Sequence, residues 1–307
     1  MSRVAAVDIG TNSVRLLVAE IDGDGPNAPL KTTARRTRIT RLGQGVNQTR
    51  RLDPEAIGRT VAVLQEYQEA ITTLGVTKVR AAATSPSRDA TNRDEFFDPV
   101  EALLGVRPEL LTGDEEARLE YWGATVGLTE PQPYLLVDVG GGSTEFIAGS
   151  DTPEELVSVD IGCVRLTEQY LHSDPPAAEE LSVAVGVVRD HLADVDRAVP
   201  GAGAAKTLIG TAGTAWTMGA IELGIDTSES DRIHHFRLTR EAAEEIFRTL
   251  ATEPIERRRH NPGLEPGRVD VIVGGAIVIV SVMRHWAFDE MLSSEADILD
   301  GLARSIA

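Results

Sequence analysis

Two segments of the chain share one pattern: an apolar strand, a polar turn that contains glycine, and a second apolar strand. They are Val4–Ala19, VAAVDIGTNSVRLLVA, and Tyr134–Gly149, YLLVDVGGGSTEFIAG. Each pattern predicts a β-hairpin. The same spacing of 130 residues separates Asp8 from Asp138, Gly10 from Gly140, and Ser13 from Ser143. The matched pair indicates that one domain was duplicated within the chain.

Strands alternate with helices through the rest of each half. In the first half, RTRITRLG and KVRAAATS predict strands, and helices are predicted from Asp53-Pro54, over Ala90–Leu104, and from Thr112 through Tyr121. In the second half, LVSVDIG and TLIGTAGT predict strands, and helices are predicted over Val164–Leu171, over Ala177–Val199 and from Thr239 onwards. Two similar α/β halves indicate two lobes with a ligand cleft between them.

The boundary between the halves is expected near Thr129–Pro133, TEPQP, because this stretch is polar and rich in proline. The predicted domains are therefore residues 1–128 and 129–307, with the final helix either in the second lobe or packed back on the first. A length of 307 residues suits two domains of roughly 150 residues each.

Composition narrows the class of protein. Cys163 is the only cysteine, which excludes an internal disulfide and suits a reducing cytoplasm. The longest apolar run, Val269–Met283, contains Asp270 and is too short to span a bilayer, and the N-terminus has no signal-peptide core. The net charge of −18 argues against nucleic acid as a partner. We expect a cytoplasmic protein with no membrane role.

The hairpin turns have the composition of phosphate-binding sites. Glycine lets a backbone adopt positive φ and direct several N–H groups at one anion. The phosphate-binding candidates in the turns are Thr11, Asn12 and Ser13 in the first copy, and Gly140, Gly141, Gly142, Ser143 and Thr144 in the second. The sequence therefore predicts one phosphate-binding turn in each half.

Asp8 and Asp138 end the first strand of each hairpin, directly beside the turn. A carboxylate next to phosphate requires an intervening cation, and Mg²⁺ commonly binds one or two carboxylates together with substrate phosphates. We expect these two aspartates to hold Mg²⁺, with Mn²⁺ as the alternative; the other interpretation is that they stabilise tight turns. Arg15 in the first copy aligns with Glu145 in the second, so we expect Arg15 on phosphate and Glu145 near water, unless both are solvated strand residues.

Five motifs together identify a family. AVDIGTNSVRLLV, AAATSPSRDATNRDEF, LLTGDEEARLEYWGA, LLVDVGGGSTEFI and IGTAGTAWTMGAI resemble, in order and spacing, the motifs of the exopolyphosphatase and guanosine pentaphosphate phosphatase family. The resemblance extends from Val4 to the C-terminal DILDGLARSI. It implies two actin-like, ribonuclease H-like lobes, and Mg²⁺-dependent release of terminal phosphate from inorganic polyphosphate or from guanosine pentaphosphate. It also implies a homodimer.

The resemblance assigns a catalytic glutamate to TGDEEAR. Glu116 is its best counterpart by spacing, with Glu115 as the alternative; the competing interpretation is that both acids favour a helix N-terminus. Asp138 and Glu145 are implied in metal binding or water activation. Ser85 and Arg88 of ATSPSRDATN extend the phosphate-binding set, unless that stretch only begins a helix.

Basic patches qualify the charge argument. ARRTRITRLG contains Arg35, Arg36, Arg38 and Arg41, and on a strand Arg36 and Arg38 share one face while Arg35 and Arg41 share the other. Because the chain is acidic overall, we expect short polyphosphate chains to be preferred over very long ones.

Two alternative functions remain open. One is an actin-like kinase, with GTAGTAWTMG as its nucleotide segment. The other is a non-catalytic sensor of polyphosphate or alarmone.

Overall fold

The computed structural model describes residues 2–23 and 28–306, which form two compact units. Unit 1 comprises Met1–Gly127 with Ala296–Ala307, and unit 2 comprises Leu128–Glu295. Numbered in chain order, unit 1 contains β1 (Ser2–Ile9), β2 (Ser13–Ile21), β3 (Leu30–Ile39), α1 (Val46–Thr49), α2 (Pro54–Thr73), β4 (Lys78–Ala83), α3 (Ser85–Asp89), α4 (Asp94–Leu104), β5 (Glu109–Leu110), α5 (Gly113–Thr125) and α13 (Ile298–Arg304).

Unit 2 contains the remaining elements. They are β6 (Tyr134–Val139), β7 (Thr144–Gly149), β8 (Pro153–Val159), α6 (Cys163–Tyr170), α7 (Ala178–Ala198), β9 (Thr207–Thr211), α8 (Ala212–Leu223), α9 (Ser230–Ile233), β10 (Arg237–Thr239), α10 (Arg240–Thr252), α11 (Ile255–Arg258), α12 (Ile272–His285) and β11 (Glu290–Ser293). Two short 3₁₀ helices cover Pro200–Ala204 and Pro266–Arg268.

The two sheets have the same strand order. The sheet of unit 1 runs β3-β2-β1-β4-β5, and that of unit 2 runs β8-β7-β6-β9-β11 with β10 added at its edge. In each sheet the first three strands pair antiparallel and the next two pair parallel. This order confirms the expected α/β fold with two actin-like halves.

The hairpins of the repeat are present as predicted. In β1–β2, Asp8 lies opposite Arg15, and in β6–β7, Asp138 lies opposite Glu145. Each turn is closed by the same backbone hydrogen bond, from Gly10 N to Ser13 O at 3.0 Å and from Gly140 N to Ser143 O at 3.1 Å. The duplication therefore extends to backbone geometry.

Helix boundaries follow local capping chemistry. The Asp53 carboxylate accepts hydrogen bonds from the backbone N–H groups of Glu55 and Ala56, and Pro54 begins α2, as expected for a helix N-terminus. The helix predicted over Ala90–Leu104 begins only at Asp94, because residues 91–93 form turns. The strand predicted over RTRITRLG ends at Ile39, and its last residues form a turn.

Each unit has its own apolar core. In unit 1, helices α2 and α4 cover one face of the sheet through residues that include Leu64, Tyr67 and Phe96. The other face packs on α13, whose Gly301 lies against α5 so closely that a Cβ there would be 2.0 Å from the Leu119 carbonyl oxygen. In unit 2, the apolar helix α12 lies in the core. No helix in the described part of the chain is long and apolar enough to cross a membrane.

Candidate active site

The turn of the first hairpin is held by the segment that follows β3. The Thr11 carbonyl accepts from Gly43 N at 2.9 Å, and the Asn12 carbonyl accepts from the N–H groups of Thr40 and Arg41 at 3.0 and 2.9 Å. In a trans peptide the carbonyl and the following N–H point in opposite directions. The N–H groups of Asn12 and Ser13 therefore face away from residues 40–43.

The turn of the second hairpin is held by the N-terminus of α6. The Gly140 carbonyl accepts from Cys163 N at 2.9 Å, and the Gly141 carbonyl accepts from the N–H groups of Val164 and Arg165 at 2.9 and 3.0 Å. The Gly142 carbonyl accepts from the Arg165 guanidinium, with Nε at 2.7 Å. Three consecutive carbonyls are thus directed at α6.

The opposite side of this turn consequently presents three consecutive N–H groups, those of Gly141, Gly142 and Ser143. Successive N–H groups that face one direction form a nest, a backbone concavity suited to anions. Ser143 is itself buried beside the turn. This arrangement can hold a phosphate group without any basic side chain.

The expectation that glycine provides positive φ in these turns is wrong. The described glycines with positive φ are Gly23, Gly45, Gly75, Gly105, Gly127 and Gly224, all outside the two turns. Close approach requires glycine instead at Gly162, in the segment that supports the second turn. A Cβ at Gly162 would lie 2.5 Å from the carbonyl oxygen of Gly141, so the start of α6 fits against the turn only without a side chain.

Thr144 also differs from its expected role. Its hydroxyl is fully buried and donates to the Ile161 carbonyl, which connects β7 to the segment after β8. The single hydroxyl proton of a threonine can serve one acceptor at a time. In this arrangement the Thr144 side chain therefore stabilises the fold and does not offer a donor to phosphate.

Asp8 in unit 1 is paired with the arginine opposite it. Asp8 Oδ2 accepts from Arg15 Nε at 2.9 Å and Nη2 at 2.7 Å, and Arg15 Nη1 donates to Asp297. Burial raises the pKa of Asp8, while the charge and hydrogen bonds of Arg15 act to lower it. Asp8 Oδ1 is buried and accepts no hydrogen bond from the described residues.

This pairing belongs to a longer charge network. Arg35 donates to Asp300 and, at 3.4 Å, to Asp297, so the acids and arginines alternate from β1 to α13. Burial raises the pKa of Asp300. We name the set Asp8, Arg15, Asp297, Arg35 and Asp300 the acid–arginine network. The sequence pattern did not predict that Arg35, Asp297 and Asp300 belong to this network. The one signal was the pair of acids at the start of the last helix, in DILDG.

The equivalent position in unit 2 has a different charge. Asp138 and Glu145 lie directly opposite each other on β6 and β7, and both are buried, at 6% and 1% exposure. Ser158 Oγ, on β8, donates to Glu145 Oε1 at 2.7 Å. Two carboxylates at facing strand positions offer oxygen ligands of the kind that a divalent cation binds. The pair is therefore suited to a divalent cation or to proton transfer.

The two glutamates of TGDEEAR have different environments. Glu115 is exposed and forms a capping box, because its carboxylate accepts from Thr112 N at 2.9 Å and from Thr112 Oγ1 at 2.8 Å. These hydrogen bonds lower the pKa of Glu115. Glu116 is 7% exposed and accepts from Arg88 Nη1 at 2.7 Å. The structure therefore gives Glu115 a capping role.

Arg88 and Ser85 lie on the short helix α3, which follows β4. Arg88 Nη1 also donates to the Leu111 carbonyl at 2.8 Å, which fixes the guanidinium beside Glu116. Ser85 is the first residue of α3, so the stretch does begin a helix, although the Thr84 side chain makes no capping hydrogen bond. The phosphate-binding role of both residues remains a prediction.

The donors and carboxylates fit a divalent cation with phosphate better in unit 2 than in unit 1. Among residues 2–23 and 28–306, no three acidic, histidine or cysteine side chains are placed to hold a metal alone. Mg²⁺ does not need three, since waters and substrate phosphates complete its shell. Asp138 with Glu145 provides two carboxylates beside a nest, whereas the charge of Asp8 is already offset by Arg15. Asn12 Nδ2 is buried and donates to no described residue, which suits an anion at the first turn.

Two units with one strand order, each with a turn whose N–H groups face away from its supports, define a duplicated α/β protein with one candidate anion-binding turn in each unit. The model of the "Ppx/GppA phosphatase family" matches residues 17–306. The chain therefore belongs to the Ppx/GppA phosphatase family.

Individual relatives agree over the full length. Exopolyphosphatase 2 of Mycobacterium tuberculosis is 42% identical over 317 aligned residues that cover 100% of this chain and 99% of that protein. A crystal structure of an exopolyphosphatase-like protein is 36% identical with a TM-score of 0.93, covering 100% of this chain and 98% of that one. The Ppx/GppA family member of Aquifex aeolicus is 31% identical with a TM-score of 0.82, covering 99% and 97%.

Proposed function

We propose that this protein is an exopolyphosphatase, which releases terminal orthophosphate from inorganic polyphosphate by metal-assisted attack of water. The observation that carries the proposal is the nest formed by Gly141, Gly142 and Ser143 beside the carboxylates of Asp138 and Glu145. The family of the chain is a phosphatase family, and its 42% identical relative bears the name exopolyphosphatase.

The reaction transfers a phosphoryl group to water. The bond between the terminal phosphorus and its bridging oxygen breaks, a bond from that phosphorus to the water oxygen forms, and the shortened chain leaves with the bridging oxygen. A bound divalent cation supplies positive charge that offsets the charge on the phosphate oxygens. The nest N–H groups bind those oxygens, and Asp138 with Glu145 would hold the cation.

Glu116 is the group that we assign to the attacking water. It accepts the water proton or orients the molecule, and Arg88 fixes its carboxylate at 2.7 Å. The capping of α5 by the Glu115 carboxylate supports the choice of Glu116 over Glu115. Asp8 as a second metal ligand, and Thr11, Asn12, Ser13 and Arg15 as phosphate ligands, remain proposals for the first turn. For Arg15 this requires a phosphate to share a guanidinium already paired with two aspartates.

The adjacent glutamates provide a matched test. In Glu116→Gln we expect kcat on polyphosphate to fall by about 10²- to 10⁴-fold, the usual contribution of a positioned acid or base, while binding persists. In Glu115→Gln, which preserves a side chain accepted at this capping position, we expect kcat within twofold of wild type. The measurement is orthophosphate release with and without Mg²⁺ or Mn²⁺, and equilibrium binding of the same chains.

Several outcomes would contradict the proposal. Unchanged kcat in Glu116→Gln would remove Glu116 from the mechanism. Binding by the wild type without phosphate release would indicate a sensor, and phosphate transfer only to an added acceptor would indicate a kinase. Faster release from guanosine pentaphosphate than from polyphosphate would favour the alternative substrate of the family. The proposed preference for short chains and the proposed homodimer are tested by defined-length substrates and by sedimentation.

A further inference from the structure

The arginines of β3 are divided between the two faces of the sheet. Arg36 and Arg38 lie opposite Leu16 and Val14 of β2, and alternate residues of a strand share one face. Both side chains are exposed, and β3 is the edge strand of the unit 1 sheet. Arg35 belongs to the other face, where it binds Asp297 and Asp300. Only one face of this strand therefore presents positive charge to solvent.

Arg36 and Arg38 differ from the majority of the arginines in the described part of the chain, because neither forms an ion pair with a carboxylate. The chain has a net charge of −18, and most of its arginines form an ion pair with a carboxylate. Within residues 2–23 and 28–306, neither Arg36 nor Arg38 has a carboxylate at salt-bridge distance. An acidic chain with ample partners thus leaves two adjacent cations on one strand face uncompensated.

These cations lie on the strand that leads to the first phosphate-binding turn. Ile39 pairs with Ser13, and the next residue, Thr40, donates its N–H to Asn12 O. The exposed Arg59 of α2 donates Nε to the Thr40 carbonyl at 3.2 Å, so it lies at the same end of the strand. Residues two apart on a strand are separated by roughly 7 Å, so Arg38 and Arg36 are successive steps away from the turn.

The surroundings of Tyr67 place both guanidinium groups on the α2 side of the sheet. The Tyr67 hydroxyl donates to Val14 O at 3.0 Å. Burial raises the pKa of Tyr67, and the charges of Arg38 and Arg36 act to lower it. Glu66, which acts in the opposite direction on Tyr67, forms no ion pair with a described residue. The positive charge of this face is therefore reinforced by Arg59 and not neutralised.

We propose that Arg36, Arg38 and Arg59 form an arginine track that binds the inorganic polyphosphate chain behind its terminal phosphate. The inference rests on the proposed function and extends it to the part of the substrate that does not react. Arginine suits this role because its planar fork donates two hydrogen bonds to phosphate oxygens. From Thr40 to Arg36 the track covers roughly 13 Å, so we expect KM to stop falling with chain length once the polyphosphate spans this distance.

The alternative is that the arginines protect an edge strand from aggregation, which is a common use of edge charges. This alternative predicts no effect of chain length on kinetics. It predicts instead that loss of the charges promotes self-association. The two interpretations are therefore separable by substrate length and by light scattering.

The test compares R36Q/R38Q with R197Q/R248Q. The control removes the same charge from exposed arginines of unit 2 that pair with Asp194 and Glu245 in their own helices. The substrates are tripolyphosphate and a long polyphosphate at matched concentrations of chain ends. For R36Q/R38Q we expect KM on the long chain to rise about 3- to 10-fold, because two charge-assisted contacts are lost. We expect KM on tripolyphosphate, and kcat on both substrates, to stay unchanged. R36K/R38K should recover part of the loss.

Salt gives a second measurement. The wild-type KM on the long chain should rise with ionic strength, and the rise should be smaller in R36Q/R38Q, because fewer screened contacts remain. An equal KM in R36Q/R38Q and R197Q/R248Q would overturn the arginine track while leaving the proposed function intact. An equal loss on both substrates would also overturn it. Absence of phosphate release by the wild type would refute the proposed function, and the track would fall with it.

Discussion

Asp297 is expected to stabilise unit 1 through its two arginines. In the acid–arginine network, Arg15 bridges Asp8 and Asp297, and Arg35 bridges Asp297 and Asp300. All these side chains are largely buried, with 5–16% of each side chain exposed. Asp297 also caps α13, since it accepts from Leu299 N at 3.0 Å. Substitution to asparagine keeps a capping side chain and removes only the charge.

The network predicts an order of effects. In Asp297→Asn each arginine retains one aspartate, so we expect a loss of about 1–3 kcal/mol in the free energy of unfolding of unit 1, the value of charged hydrogen bonds. Within residues 2–23 and 28–306, Arg15 is the one cation paired with Asp8, so Arg15→Gln leaves Asp8 buried without it and we expect a larger loss of about 3–5 kcal/mol. Arg15→Gln should also raise KM for phosphate chains if Arg15 contacts phosphate.

The measurement is native-state hydrogen exchange in low urea, read on peptides from β1, β2 and α13. This choice resolves unit 1, whereas a single unfolding curve of a two-unit chain does not give one free energy. Peptides from α7 and α12 in unit 2 provide the internal control. Wild-type exchange in both variants, or a greater loss in Asp297→Asn than in Arg15→Gln, would refute the reasoning.

Two further predictions concern the supports of the site. Gly162→Ala places a Cβ 2.5 Å from the Gly141 carbonyl oxygen and should displace the nest, so we expect kcat/KM to fall at least tenfold. The control is Gly186→Ala in α7, where the glycine has open space around it. This control should keep wild-type activity and raise the free energy of unfolding by up to about 1 kcal/mol. Hydrogen bonds from Thr112 lower the pKa of Glu115, so its carboxylate stabilises the folded state at pH values above its ordinary pKa of 4.5, and this stabilisation is lost as pH falls. The difference in Tm between wild type and Glu115→Gln should therefore shrink from pH 7 to pH 3. A constant difference would contradict the capping role.

The local features of the fold could be predicted from sequence because neighbouring residues determine them. The hairpins follow from apolar alternation on both sides of a polar turn, and α2 follows from Asp53-Pro54. Alternation along the strand also assigned Arg36 and Arg38 to one face and Arg35 to the other, which the structure confirms for β3. This alternation depends only on the local backbone conformation and not on contacts between residues distant in sequence.

The acid–arginine network could not be predicted in this way. Arg15 and Asp297 are 282 residues apart in sequence, and only the packing of α13 in unit 1 brings them together. The turn glycines were misinterpreted for a related reason. Their carbonyls bind Cys163 and Arg165, so the conformation of the turn depends on a helix that follows two strands later. Local composition indicated glycine correctly but not why it is needed.

Equivalent positions of the two hairpins carry different charges, which supports different roles for the two turns in the proposed reaction. At equivalent positions, unit 1 places Arg15 opposite Asp8, and unit 2 places Glu145 opposite Asp138. The first position combines a carboxylate with a guanidinium that is shared with Asp297, whereas the second combines two carboxylates, a ligand type that Mg²⁺ binds. Two facing carboxylates at the second hairpin offer oxygen ligands to a divalent cation, which supports the metal site proposed there. The two turns thus share the backbone hydrogen bond that closes them but differ in side chains, since Thr11 and Asn12 stand in the first turn where Gly141 and Gly142 stand in the second.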